Sequence, residues 1–146
     1  MLVRKMTSAD ISAAVKIEEQ CFSLPWSEKS FADSLEREDT VFLVCEDENN
    51  IVAGYIGMYL SFDEASITNV AVSPEFRKRG CGQRLVEMAK QVVKEIGVQV
   101  IFLEVRTSNQ PAISLYSKNG FENLGIRKNF YEHPTEDAYI MSCNIE

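Results

Sequence analysis

Asn69-Val70-Ala71-Val72-Ser73-Pro74-Glu75-Phe76-Arg77-Lys78-Arg79-Gly80-Cys81-Gly82 runs out of an apolar segment into a loop with three consecutive basic residues and two glycines. Upstream, residues 65–72 predict a strand that stops at Ser73-Pro74. Downstream, Leu85, Met88, Ala89, Val92, Val93 and Ile96 fall at i, i+3, i+4, i+7 spacing. That spacing predicts a helix over 83–96, ended by Gly97. A loop feeding a helix start is a natural anion site, because the first turn has unpaired N–H groups and the positive end of the dipole. Gly80 and Gly82 remove side chains where backbone must approach a bulky anion. Arg77, Lys78 and Arg79 add positive charge. Taken as a generic motif, the loop equally fits a solvated basic turn. It is neither G-x-x-x-x-G-K-S/T nor G-x-G-x-x-G, but R-x-x-G-x-G.

Working outward, residues 2–6 predict a short first strand. Thr7-Ser8-Ala9-Asp10 has the form of a capping box. Ile11, Ala14, Val15 and Phe22 continue at helical spacing, and Glu18 interrupts that stripe. Ser27 can cap a second short helix in which Phe31 and Leu35 share a face. Residues 41–45 and 51–56 flank the turn-forming stretch 47–50 and predict a hairpin. Val100-Ile101-Phe102-Leu103 is a continuous apolar run, as in a buried central strand. Pro111 suits the first turn of a helix through Tyr116, closed by Asn119-Gly120. Residues from 121 onward and 138–145 complete the sheet. The order is mixed α/β, with antiparallel hairpins first and a strand–helix–strand unit later.

The chain has 146 residues, 45% hydrophobic and 25% charged, with a net charge of −7. This fits one globular domain over 1–146, with no linker or repeat to divide it. Nucleic acid is disfavoured as a partner, since phosphate binding needs clustered Lys and Arg. An acidic surface attracts cations, such as a protonated amine. No apolar run has a membrane-spanning length and no secretory signal opens the chain, so a cytoplasmic address is expected. Cys21, Cys45, Cys81 and Cys143 form no Cys-x-x-Cys pair and are expected as free thiols. With one histidine, His133, in a polar stretch beside Pro134, neither a metal site nor a Ser-His-Asp or Cys-His system is supplied.

The segment Val70 through Gly82 resembles the acetyl-CoA signature of the GNAT N-acetyltransferases, Q/R-x-x-G-x-G/A. Within that superfamily the chain is similar to the RimI type, the ribosomal-protein-alanine N-acetyltransferases. Pro25-Trp26-Ser27-Glu28-Lys29-Ser30-Phe31 and Leu103-Glu104-Val105-Arg106-Thr107-Ser108-Asn109 carry that finer likeness. Ala112-Ile113-Ser114-Leu115-Tyr116, Gly120-Phe121, Arg127-Lys128-Asn129-Phe130-Tyr131 and Glu136-Asp137-Ala138 continue it in order. The resemblance implies a GNAT fold: a mostly antiparallel mixed sheet of about seven strands, flanked by about four helices and splayed at the fourth and fifth strands. It implies acetyl-CoA as cosubstrate and no metal. It also implies a protein N-terminus as acceptor, that of a small-subunit ribosomal protein beginning with Ala or Ser.

Cofactor contacts carry over by position. The backbone of Val70, Ala71 and Val72 pairs with the pantetheine arm as an added strand. Lys78, Arg79, Gly80, Cys81, Gly82 and Gln83 wrap the pyrophosphate, Cys81 through its backbone alone, and Asn109 contacts CoA further along. A backbone N–H near Val72 polarises the thioester carbonyl.

Acetyl transfer to an amine needs a base for the amine and an acid for the departing thiolate. Glu104 follows the apolar run 100–103, and by position alone it fits a salt bridge with Arg106 or another cation. The resemblance makes it the general base. Tyr116 fits either a core aromatic or a proton donor, and the resemblance makes it the general acid. Trp26 and Tyr131 are candidates for the peptide acceptor, Trp26 having core packing as its alternative. Family members often carry two tyrosines where this chain has Phe130-Tyr131. A small amine or a lysine side chain as acceptor, or a non-catalytic acyl-CoA sensor, would keep the donor loop and change the rest.

Overall fold

The computed structural model describes residues 1–146. Seven strands, β1 (Leu2–Lys5), β2 (Thr40–Glu46), β3 (Val52–Ser61), β4 (Glu64–Val72), β5 (Val100–Arg106), β6 (Glu122–Tyr131) and β7 (Glu136–Asn144), form one sheet in the order β1-β2-β3-β4-β5-β7-β6. Four helices, α1 (Ile11–Cys21), α2 (Glu28–Leu35), α3 (Cys81–Glu95) and α4 (Gln110–Lys118), cover it. No helix is long and apolar enough to cross a membrane.

Every neighbouring pair is antiparallel except β4 and β5. Those two run parallel and pair only at Glu64–Val100, Ala65–Ile101 and Ser66–Phe102. Beyond Ser66 they part, and residues 67–72 of β4 have no strand on that side. A register shift against β3 between Gly57 and Met58 leaves Thr68 unpaired there, which bends β4 where the gap opens. The splay at the fourth and fifth strands is the element on which the site depends.

Alternation along the strands sends side chains to two cores. On one face Leu43, Cys45, Ile56, Met58, Ile101, Leu103 and Met141 pack against Leu85, Val86, Ala89 and Val93 of α3. On the other, Phe42, Val44, Tyr55 and Ala71 pack against Ala14 and Ile17 of α1 and Phe31 of α2. Each fully buried Leu or Val stabilises the fold by about 1.5–3 kcal/mol. The two cores account for the two apolar runs in β2 and β3, which are buried on both faces.

Several local expectations shift. The second hairpin strand does not end at Ile56 but runs to Ser61, with Gly57 tolerated mid-strand because the Phe42 ring lies over it. The helix over 83–96 begins at Cys81, since Gly80 takes a left-handed conformation (φ 82°) and accepts the first helical bond from Arg84. Thr7 and Asp10 do form a capping box, opening a 3-10 turn before α1. Asp10 also receives Arg4 in a two-pronged pair at 2.8 and 2.9 Å, and Arg4 reaches Glu46 at 3.1 Å. Arg4 therefore ties β1, β2 and the helix entry together. Phe22 leaves the α1 stripe and is exposed. All four cysteines are free.

Gly54 of β3 lies opposite Val72, at the end of the β3–β4 pairing. A Cβ there would stand 2.8 Å from the Ala71 carbonyl oxygen and 2.9 Å from the Cys81 sulfur. Backbone cannot yield cheaply, so Gly54→Ala is expected to destabilise the fold by about 1–3 kcal/mol. Thermal or urea unfolding reads this directly, and an unchanged midpoint would show that β3 and β4 part there freely.

Candidate active site

The wedge between β4 and β5 is a cavity of about 740 Å³. Its walls include Asn69 and Val70 of β4, Leu103 through Arg106 of β5, and Asn109, Ala112, Leu115 and Tyr116 at and within α4. The α1–α2 connection supplies Phe22, Ser23, Leu24 and Trp26, and the β6–β7 hairpin supplies Phe130, Tyr131 and Glu132. Ser23 Oγ donates to the His133 carbonyl at 2.6 Å and joins these two segments across the mouth. His133 thus takes part through its backbone, in an exposed turn.

The β5-facing edge of residues 67–72 offers strand-type N–H and C=O groups with no strand to pair with. An extended chain of amides fits such an edge. Ala71 is buried, whereas Val70 and Val72 are half-buried and pack toward the α3 core. Cys21 Sγ contacts the Val72 carbonyl at 3.5 Å.

The edge leads to the start of α3. Gly80 is its N-cap and brings no side-chain acceptor, so the first-turn N–H groups are left for an anion. Space around Gly80 is open: a Cβ added there would meet no heavy atom within 4 Å. Lys78 is also left-handed (φ 63°), which turns the basic loop around this helix end. Arg77 reaches the Cys21 sulfur at 3.5 Å, and Arg79 lies over the Phe76 ring at 5.1 Å. Exposed Lys78 completes the positive rim. A diphosphate fits these groups.

Two residues in the first turn of α3 have side chains engaged elsewhere. The Cys81 thiol is buried, and burial beside Cys45 pushes it far above the usual thiol range. Gln83 binds Asn119 through both ends of its amide, at 2.9 Å each way, and also donates to Glu87 at 2.7 Å. Asn109 caps α4, its Oδ1 accepting from the Ala112 N–H at 3.2 Å. Its amide nitrogen is left free for a ligand.

Glu104 lies within β5, opposite Ile140 of β7, and lines the cavity. Of the cations open to it, it pairs not with Arg106 but with Arg127 of β6, at 3.2 Å. Both groups of that pair are partly exposed, so the contact orients the carboxylate more than it stabilises the fold. Arg106 instead binds Glu136 at 3.2 Å and the carbonyls of Glu132 and Pro134, and lies 4.4 Å over the Tyr131 ring. It holds the β6–β7 turn, and with it Tyr131.

Tyr116 is buried on α4, packed at 5.6 Å against Phe121. Burial pushes its phenol well above the usual range, and Tyr131 adds to the shift. Tyr131 is raised by burial and then by the Glu104 carboxylate. The three groups therefore share one electrostatic neighbourhood, in which both phenols hold their protons at neutral pH.

Trp26 belongs to the core and borders the cavity. Its ring packs on Phe31 and Phe42 at 5.2 and 6.0 Å, while the residue also lines the cavity. Its backbone N–H donates to Glu18 at 2.9 Å. Glu18, which interrupts the apolar stripe of α1, is 1% exposed and accepts a hydrogen bond from the Tyr55 hydroxyl. Asn69 donates to Tyr55 at 3.3 Å. Sequence reasoning passed over Glu18, Tyr55, Asn69 and Arg127. The available signal was Glu18 itself, a carboxylate on a buried helix face that needs partners.

No group of three or more His, Cys, Asp or Glu side chains is arranged to hold a metal.

Residues 11–121 match the model of the acetyltransferase (GNAT) family. The ribosomal protein bS18-alanine N-acetyltransferase of Escherichia coli K12 is 35% identical over 147 residues, covering 98% of this chain and 97% of that one. A Bacillus subtilis protein, provisionally named for the same activity, is 41% identical over 144 residues, covering 98% and 95%. The crystal structure of the ribosomal-protein-S18-alanine N-acetyltransferase from Escherichia coli superposes with a TM-score of 0.90 at 33% identity, covering 99% of this chain and 94% of that one. With the splayed β4/β5 edge and the R-x-x-G-x-G helix start, these matches make the chain a member of the GNAT family of acetyl-CoA-dependent acyltransferases, of the RimI type.

Proposed function

We propose that this protein acetylates the N-terminal α-amino group of a protein, a small-subunit ribosomal protein beginning with Ala or Ser, by direct transfer in a ternary complex. The observation that carries the reading is the joint placement of Glu104, Tyr116 and Tyr131 in one cleft beside the free edge of β4. The names of its relatives point to the same acceptor.

In this reading the backbone of Val70, Ala71 and Val72 holds the pantetheine arm, and residues 78–83 hold the pyrophosphate. A backbone N–H near Val72 polarises the thioester carbonyl. Glu104 takes a proton from the amine, directly or through one water, as the new N–C bond forms. An α-amino group has a pKa near ~8, so a carboxylate base is adequate at neutral pH. As the C–S bond breaks, the Tyr116 hydroxyl gives its proton to the leaving sulfur. Trp26 and Tyr131 flank the entering peptide, and Tyr131 makes its contact without the second hydroxyl that Phe130 lacks. The acidic groups Glu18, Glu104 and Glu132 in the cleft suit a cationic chain end.

Acceptor profiling tests the proposal. With acetyl-CoA as donor, peptides beginning with Ala or Ser are expected to be acetylated at the α-amine with kcat/KM at least ~100-fold above polyamines, aminoglycosides or lysine side chains, a margin that buried polar contacts supply. A preference for free polyamines would sink the peptide reading. Tight acetyl-CoA binding with no acetyl transfer to any amine would mark a sensor instead.

A further inference from the structure

The cleft contains a polar group that neither the donor edge nor the Glu104–Tyr116 pair uses. Asn69 is 7% exposed and lines the cavity, and its Oδ1 is the one fully buried side-chain polar atom without a hydrogen-bond partner. The neighbours decide which way the carboxamide points. Tyr55 donates its single O–H in the hydrogen bond to Glu18, so the atom 3.3 Å from the Tyr55 oxygen must be a donor, Nδ2. Oδ1 is thereby left as an unpartnered, buried acceptor on a residue that lines the cavity. Buried acceptors are nearly always paired in a working protein, so this one calls for a donor from outside the chain.

Two observations identify the substrate group. Glu18 is a buried carboxyl group of the same cavity whose bonds come only from Tyr55 and the Trp26 N–H, with no Lys or Arg beside it. A buried carboxylate without a counter-charge favours a cationic guest. Asn69 also reaches Tyr55 and the α1–α2 core, whereas Val70 and Val72 pack toward α3. The unpartnered oxygen therefore lies on the side of β4 away from the pyrophosphate loop.

We propose that Asn69 Oδ1 accepts a hydrogen bond from the α-ammonium group of the acceptor, with Glu18, joined to Asn69 through Tyr55, supplying the negative charge behind it. The inference deepens the proposed function and rests on its N-terminal acceptor. The ligand class is a primary alkylammonium. Acetylation removes the charge and leaves a single N–H, so the same site loosens its hold on the product.

Binding to the CoA-loaded enzyme provides the test, using an Ala-initiated peptide and its des-amino counterpart, with propanoyl in place of alanyl. Wild type is expected to prefer the amine by about ten-fold or more, the worth of a charge-assisted hydrogen bond. Asn69→Leu, of similar volume, is expected to bring the two peptides to within about two-fold of each other while CoA affinity is kept. Asn69→Ser retains an acceptor oxygen and is expected to keep part of the preference. Undiminished preference in both variants, or a loss that falls on CoA instead, overturns the inference. A wild type that discriminates by binding and yet acetylates no peptide N-terminus would refute the proposed function and leave this site standing.

Discussion

Glu104→Gln is expected to lower kcat on an Ala-initiated peptide by about 10²–10⁴-fold at neutral pH, the usual contribution of a positioned base. The substitution keeps the shape of the side chain and its hydrogen bond with Arg127. Since both members of that pair are partly exposed, its loss costs the fold under about 1 kcal/mol. A large rate loss therefore reports chemistry rather than unfolding. The deficit should shrink as pH rises past ~8, where the α-amine of the substrate is already neutral and needs less help. Stopped assays of kcat from pH 6.5 to 10, with the unfolding midpoint as a control, check both parts. Unchanged turnover across neutral pH would remove Glu104 from the role.

Tyr116→Phe is expected to lower kcat by about 10²-fold, the lower end for acid catalysis, because a thiol of pKa near ~8.5 is already a fair leaving group. The phenylalanine ring can keep the 5.6 Å contact with Phe121. Tyr116 also makes no hydrogen bond to the chain that the change would break, so stability should hold within about 1 kcal/mol. The KM for acetyl-CoA should stay within about three-fold, since an acid acting on the leaving sulfur is used in the transition state. A variant that loses KM rather than kcat would recast Tyr116 as a binding residue.

These two side chains show how far local signals reach. Glu104 and Tyr116 stand twelve positions apart on a strand and a helix, and nothing in their spacing says that they share a cavity. The family likeness paired them. The tertiary structure put both on the walls of the β4/β5 wedge, and among the cations left open for Glu104 it selected Arg127 rather than Arg106. That choice was invisible locally because β6 reaches β5 only through β7, which lies between them in the sheet. Trp26 shows a different limit. A tryptophan in a loop reads as either core or site, and here its ring packs on Phe31 and Phe42 while the residue lines the cleft.

By itself the sequence determined the mixed α/β order, the α3 helix and the basic, glycine-bearing loop ahead of it. Those features are periodic or contiguous, so residues a few positions apart carry the whole signal. It also carried the family likeness, through motifs written as short runs. What only the tertiary structure decided was the cleft: where β4 leaves β5, which carboxylate has a cation, and which buried amide oxygen lacks a donor. Glu18, Tyr55 and Asn69 come from one helix and two strands, and they meet because a kinked strand and a buried helix face converge on one point. A buried polar group takes its meaning from its partners. Those partners are set by packing between elements far apart in the chain.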